Sequence, residues 1–128
     1  MNHGAARGLG VSSRMLVRML YQEAGWYPKE LSWDRGLNPV RGWESVVEWL
    51  RNCRWFGPAE RIEPGDLLVR IGAGAQFAVA ISDPSRLSDS RYVVQCLQPS
   101  GVMTTKLAEA EWLFGFKLVL RPLAIPRS

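Results

Sequence analysis

The sequence predicts a single α+β domain, with N-terminal helices packed on a five- to six-stranded antiparallel sheet. Three observations predict it. Apolar residues recur at helical spacing as far as about residue 52; short β-rich runs joined by turn residues take over after Asp66; no internal repeat divides the chain. With 128 residues, 47% of them hydrophobic, the chain can bury a core without metal or disulfide staples. The domain is expected over residues 1–122, leaving 123–128 as a C-terminal tail.

The first helix is expected from Ser12 or Ser13, either of which can cap it, to Gly25, which can end it in a left-handed turn. Met15, Leu16, Met19 and Leu20 form its apolar stripe. After a turn-rich stretch from Trp26 to Asn38, Asn38-Pro39 supplies a cap followed by proline at the first helical position. Trp43, Val46, Val47 and Leu50 then form the stripe of a second helix that ends near Asn52. Phe56-Gly57-Pro58 reads as a break and Glu63-Pro64-Gly65-Asp66 as a turn. Strands follow at roughly Leu67–Ile71, Gln76–Ser82, Tyr92–Leu97, Val102–Leu107 and Phe114–Leu120. Gly72-Ala73-Gly74-Ala75, Asp83-Pro84-Ser85 and Pro99-Ser100-Gly101 link them. The first of these joins two strands rather than entering a helix, so it reads as a hairpin link and not a phosphate loop.

Composition narrows the function classes. No run of 18 apolar residues exists, so no membrane-spanning helix is expected, and Arg7, Arg14 and Arg18 interrupt any signal-peptide core. Net charge is +4, but only Lys29, Lys106 and Lys117 are lysines. The arginines are scattered singly, so nucleic acid is not an expected partner. Cys53 and Cys96 stand 43 positions apart outside any metal-ligand motif. They read as reduced core residues, and neither a metal nor another cofactor is expected.

Several short motifs follow one another in a meaningful order. His3-Gly4-Ala5-Ala6-Arg7 precedes Gly10-Val11-Ser12-Ser13 at the first helix. Glu63-Pro64-Gly65-Asp66-Leu67-Leu68 leads into the first long strand. Gln76-Phe77-Ala78-Val79-Ala80-Ile81, Tyr92-Val93-Val94-Gln95-Cys96 and Ser100-Gly101-Val102 come next. This succession resembles the NlpC-type cysteine peptidases, papain-like enzymes that cleave peptidoglycan stem peptides and recur in bacteriophage tails. The resemblance spans most of the chain and implies their fold. Carried over residue by residue, the family's nucleophilic cysteine falls on Ser13, the aspartate before it on Ser12, its histidine on Phe77, and its third polar residue on Gln95.

Those positions decide the chemistry. A cysteine nucleophile works because a thiolate is accessible near neutral pH, whereas a serine hydroxyl needs a positioned base. Phenylalanine neither accepts nor donates a proton. Losing a nucleophile or its base from a comparable triad costs on the order of 10⁶ in turnover. The resemblance with these departures implies a catalytically inactive domain, serving as a structural or assembly component of a phage tail or tail-like particle. Its expected location is the virion, after synthesis in the bacterial host cytoplasm. Expected partners are other tail or particle proteins, with peptidoglycan as the alternative. A residual peptidoglycan hydrolase would have to draw on His3, Ser13 or Cys53; a non-cleaving peptidoglycan-binding module needs none of them. The plainer reading of His3, the only histidine, is a solvated terminal side chain. Arg51 and Arg54 flank Cys53 with charge that could lower its pKa, but a structural thiol is the plainer reading there too.

Of the six tryptophans, Trp26, Trp33, Trp43, Trp49 and Trp55 fall in one stretch. Trp43 fits the second helix's inward stripe. Trp26, Trp33 and Trp55 fall in or beside loops and are the candidate binding residues, because aromatics beside arginines are typical of energetic centres at interfaces. A sugar-stacking platform is the competing functional reading, and core filling is the plainer one for the group.

Overall fold

A computed structural model of the chain describes residues 13–31, 33, 42–71, 75–97 and 101–124; of residues 42 and 43 it describes the backbone alone. Among them lie helices α1 (Ser13–Glu23), α2 (Gly42–Asn52) and α3 (Leu107–Leu113). The strands are β1 (Phe56–Pro58), β2 (Leu67–Ile71), β3 (Ala75–Ser82), β4 (Arg91–Leu97), β5 (Gly101–Lys106) and β6 (Leu118–Pro122). They form one sheet in the order β1-β6-β2-β3-β4-β5, with every neighbouring pair antiparallel. The α+β expectation holds, and the sheet has six strands.

Helix α1 ends as its sequence predicts. Gly25 adopts φ +81°, Trp26 N–H donates to the Tyr21 carbonyl at 2.9 Å, and Gly25 N–H donates to Gln22 at 3.1 Å. That reciprocal pair needs a left-handed residue, which glycine adopts without steric cost. The buried stripe differs from the expected one. Leu16, Val17 and Tyr21 face the core, while Met19 is 50% exposed. Tyr21 adds a large ring one turn beyond Val17, and burying that ring rotates the helix so that Met19 turns outward.

Two sheet faces carry two different cores. Val69 of β2, Phe77 and Val79 of β3 and Leu120 of β6 pack beneath Val17 and Tyr21 of α1 and Val46 and Leu50 of α2. Leu16 covers Val94 and Cys96 of β4 on the same side. On the other face, Leu68, Ala78, Ala80 and Val93 pack under Ala110 of α3. Period-two alternation along each strand produces this division.

The Glu63–Asp66 turn holds the two faces together. Pro64 and Gly65, the latter at φ +95°, occupy the centre of a turn closed by Asp66 N–H donating to the Glu63 carbonyl at 3.0 Å. Glycine at that place is what a type II turn requires. Gly65 N–H donates to Ala80 at 2.7 Å, and the Tyr21 hydroxyl donates to the Gly65 carbonyl at 2.9 Å. The Asp66 carboxylate is buried and grips Arg121 of β6 through two parallel bonds, Nε to Oδ1 and Nη2 to Oδ2, both 3.0 Å. A two-pronged guanidinium contact of this kind compensates a carboxylate removed from water.

Four expectations need correction. Phe56-Gly57-Pro58 is not only a break: it pairs with β6 as an edge strand, where proline's missing N–H costs no ladder bond. The expected strand Val102–Leu107 stops at Lys106, and Leu107–Leu113 is helix, consistent with its run of leucine, alanine and glutamate. The expected strand Phe114–Leu120 therefore begins only at Leu118, after Gly115 ends α3 at φ +68°. Finally, the tail does not start at residue 123, because Leu123 N–H donates to Trp55 at 2.9 Å and its carbonyl accepts from Trp26 Nε1 at 2.6 Å. Asn38-Pro39, the Gly72–Gly74 link and residues 125–128 lie outside the described residues.

Candidate functional site

A papain-like site on this scaffold would lie where the start of α1 meets β3 and β4. Ser13 is the first residue of α1 and is half-buried. Phe77 lies on the α1 face of β3 and is 5% exposed. Its ring meets the Trp33 indole edge-on at 5.7 Å, and Trp33 in turn touches Trp49 and Phe56, both at 6.2 Å. The Trp33 Nε1–H donates to the Arg14 carbonyl at 2.8 Å, tying this aromatic layer to the first turn of α1. An apolar stack thus holds Phe77, the residue on which the resemblance placed a histidine.

Gln95 is not part of this place. It pairs with Ala78 across β3 and β4, so its side chain shares the α3 face with Ala78 and points away from Phe77. A one-residue offset in a strand exchanges faces, and that offset separates Gln95 from the positions it was expected to join. The β4 side chains on Phe77's side are Val94 and Cys96. Ser13 and Phe77 therefore belong to one side of the sheet and Gln95 to the other.

The thiols do not supply a substitute. Cys96 is buried, Cys53 is half-buried, and neither is in a disulfide. Burial pushes both thiols up from their ordinary pKa. At Cys53 the Trp55 backbone and Arg54 oppose that rise without overcoming it, so the expected lowering by arginine is reversed. Arg54 instead lies 4.3 Å from the centroid of the Trp55 ring. Burial, with the Asp66 charge second, also raises the Tyr21 hydroxyl far above its usual range, so it stays a neutral donor to Gly65. No group of three or more histidine, cysteine, aspartate or glutamate side chains that could hold a metal is found among the described residues. His3 lies outside them.

An apolar groove of about 400 Å³ runs between the end of α1, the Pro64-Gly65 turn and the end of β3. Among the described residues its lining carries Glu23, the neutral Tyr21 and Ser82, with no histidine, cysteine or lysine.

The tryptophan expectation also changes. Trp33 is 1% and Trp55 6% exposed, so both are core residues rather than a binding platform, and Trp26 is half-buried with its Nε1–H committed to Leu123. Tyr21, Trp26, Trp33, Phe56 and Phe77 pack as one aromatic layer. A layer of large rings hides indoles that loops carry in the sequence. Among the described residues, the tryptophan that stands in solvent is Trp112 of α3, 84% exposed, followed by Leu113 at 57%. Sequence reading missed it because α3 was not foreseen; the pattern Ala110, then Trp112 and Leu113 on other faces, was the available signal. The whole side chain of Trp43 lies outside what is described.

Compared with known proteins, the chain matches no family model, no curated protein and no solved structure. No helix among the described residues is long and apolar enough to cross a membrane.

Proposed function

We propose that this chain is an NlpC-like domain without peptidase chemistry that serves as a structural or assembly component of a phage tail or tail-like particle. The order of α1, α2, the Pro-Gly-Asp turn and the antiparallel sheet supports the NlpC-like reading. One observation carries the non-catalytic part: Phe77, where that chemistry needs an imidazole, is sealed edge-on against Trp33 in the core. An apolar ring buried against an indole cannot take a proton from Ser13. The polar residue expected to orient the base sits on the opposite face. A domain of this kind acts through its surface, and the exposed Trp112 and Leu113 offer the kind of aromatic anchor that neighbouring particle subunits bury.

Two measurements test the reading together. Purified muropeptides incubated at length with the protein should give no product by mass spectrometry, whereas cleavage would refute the non-catalytic claim. Purified particles from the producing cells should contain the chain at fixed stoichiometry, and a Trp112→Ser, Leu113→Ser variant should lose incorporation while remaining folded. Absence of the chain from particles, with cosedimentation on intact sacculi, would replace the assembly role with peptidoglycan binding.

A further inference from the structure

The sheet face under α3 holds a polar site that the scaffold role does not use. Gln95 is 4% exposed, and its amide Nε2 has no hydrogen-bond partner among the described residues. A buried amide without an acceptor costs free energy, and native proteins resolve such groups with a water, an ion or a ligand. Gln95 borders a cavity of about 10 Å³ whose lining includes Arg70, Gln76 and Phe116. That is room for about one oxygen-sized atom. Arg70 of β2 lies directly across from Gln76 of β3, and its guanidinium carbon stands 4.7 Å from the centroid of the Phe114 ring. Stacking on a ring fixes the guanidinium plane and leaves its N–H edge for an acceptor. No acidic side chain lines the cavity among the described residues. Its polar side chains present a cation and amide donors, with one donor buried and unmatched.

We propose that Arg70, Gln76 and Gln95 form a binding site for one carboxylate group. One carboxylate oxygen enters the cavity and accepts from Gln95 Nε2; the other stays at the mouth and accepts from Arg70. A planar anion with two acceptor oxygens matches this donor set, whereas a lone water would satisfy Gln95 without engaging the guanidinium charge. No step of the assembly reading depends on the site: Arg70, Gln76 and Gln95 share the α3 face with Ala78, although Phe77 and Cys96 also border the cavity.

Side-chain amide NMR of the full chain tests it, following the Gln95 Nε2H₂ pair. Sodium acetate should shift that pair saturably in the millimolar range, while sodium chloride at equal ionic strength should not. An N-acetylated dipeptide with a free C-terminus and its C-terminal amide distinguish the source of the carboxylate. Binding of the acid about tenfold tighter than acetate assigns the site to a peptide terminus, and equal binding assigns it to a small free carboxylate. Arg70→Gln should weaken acetate binding about tenfold or more. Gln95→Leu, which removes the unmatched donor and so should fold as well as wild type, should abolish saturation read on neighbouring backbone amides. No saturable shift with acetate or the dipeptide, together with a cross-peak from the Gln95 amide to a long-lived water, would overturn the proposal and leave the cavity as a hydration site.

Discussion

The two faces of the sheet are built from different materials. Toward α1 and α2, large rings interlock: Trp33, Phe77, Phe56 and Tyr21 meet at centroid distances of 5.7 to 6.3 Å, directly or through one another. Toward α3, small residues (Ala78, Ala80, Val93, Ala110) make a thin core, and buried polar groups, Gln95 and Asp66, sit beside it. The contrast teaches where chemistry can reside. The α1 face is built of packed rings, while the opposite face retains unmet and ion-paired polar atoms.

The largest effect should come from breaking the aromatic face. Trp33→Ala removes a fully buried indole and its bond to Arg14, and should cost about 3–5 kcal/mol of unfolding free energy in urea titration. A loss under about 1 kcal/mol would mean that the layer is not packed as described. Next, Arg121→Met leaves the Asp66 carboxylate buried without its guanidinium and should lower the urea midpoint, by less than Trp33→Ala. Asp66→Asn in that background should recover part of the loss, since the stranded charge is gone; no recovery would show that the pair's geometry, not its charge, matters.

A smaller effect is pH-linked. Ser85 and Ser88 donate to Asp83 at 2.6 and 2.8 Å, and these hydroxyls, with the Ser85 backbone amide, hold its carboxyl below the usual range. A depressed folded-state pKa stabilises the fold above the unfolded value and loses that contribution as pH falls through the folded value. The wild-type advantage over Asp83→Asn should thus be full above about pH 5 and fade toward acid, measured by thermal melts across pH. An advantage that grows toward acid would reverse the assignment. Smallest of all, Trp112→Ser should change stability by no more than about 0.5 kcal/mol, because the side chain is 84% exposed.

Much of the architecture was legible in the residues. Gly25 and the Pro64-Gly65 pair announce their turns because only glycine reaches φ +81° and +95° at little cost. Leu67–Ile71 is readable as a strand to its last residue, since apolar β-formers there are bounded by turn chemistry on both sides. Helix α3 was hidden because seven residues give barely two helical turns, and the flanking Val102–Lys106 carried a β pattern into them. The face of Gln95 could not be read locally. Tyr92–Cys96 is apolar on both sides, so alternation gives no phase, and the Ala78 pairing sets it through non-local hydrogen bonds. Burial of Trp33 likewise depends on rings brought from β1 and β3, which no local window contains.

The most direct test is a side-chain nuclear Overhauser experiment on Gln95 and Phe77 in the intact protein. Cross-peaks from Phe77 to Trp33, and from the Gln95 amide to Ala78 and Phe116 with none to Leu16, are the predicted result. Cross-peaks from the Gln95 amide to Phe77 ring protons and Leu16 would put both residues on the α1 face and contradict the account.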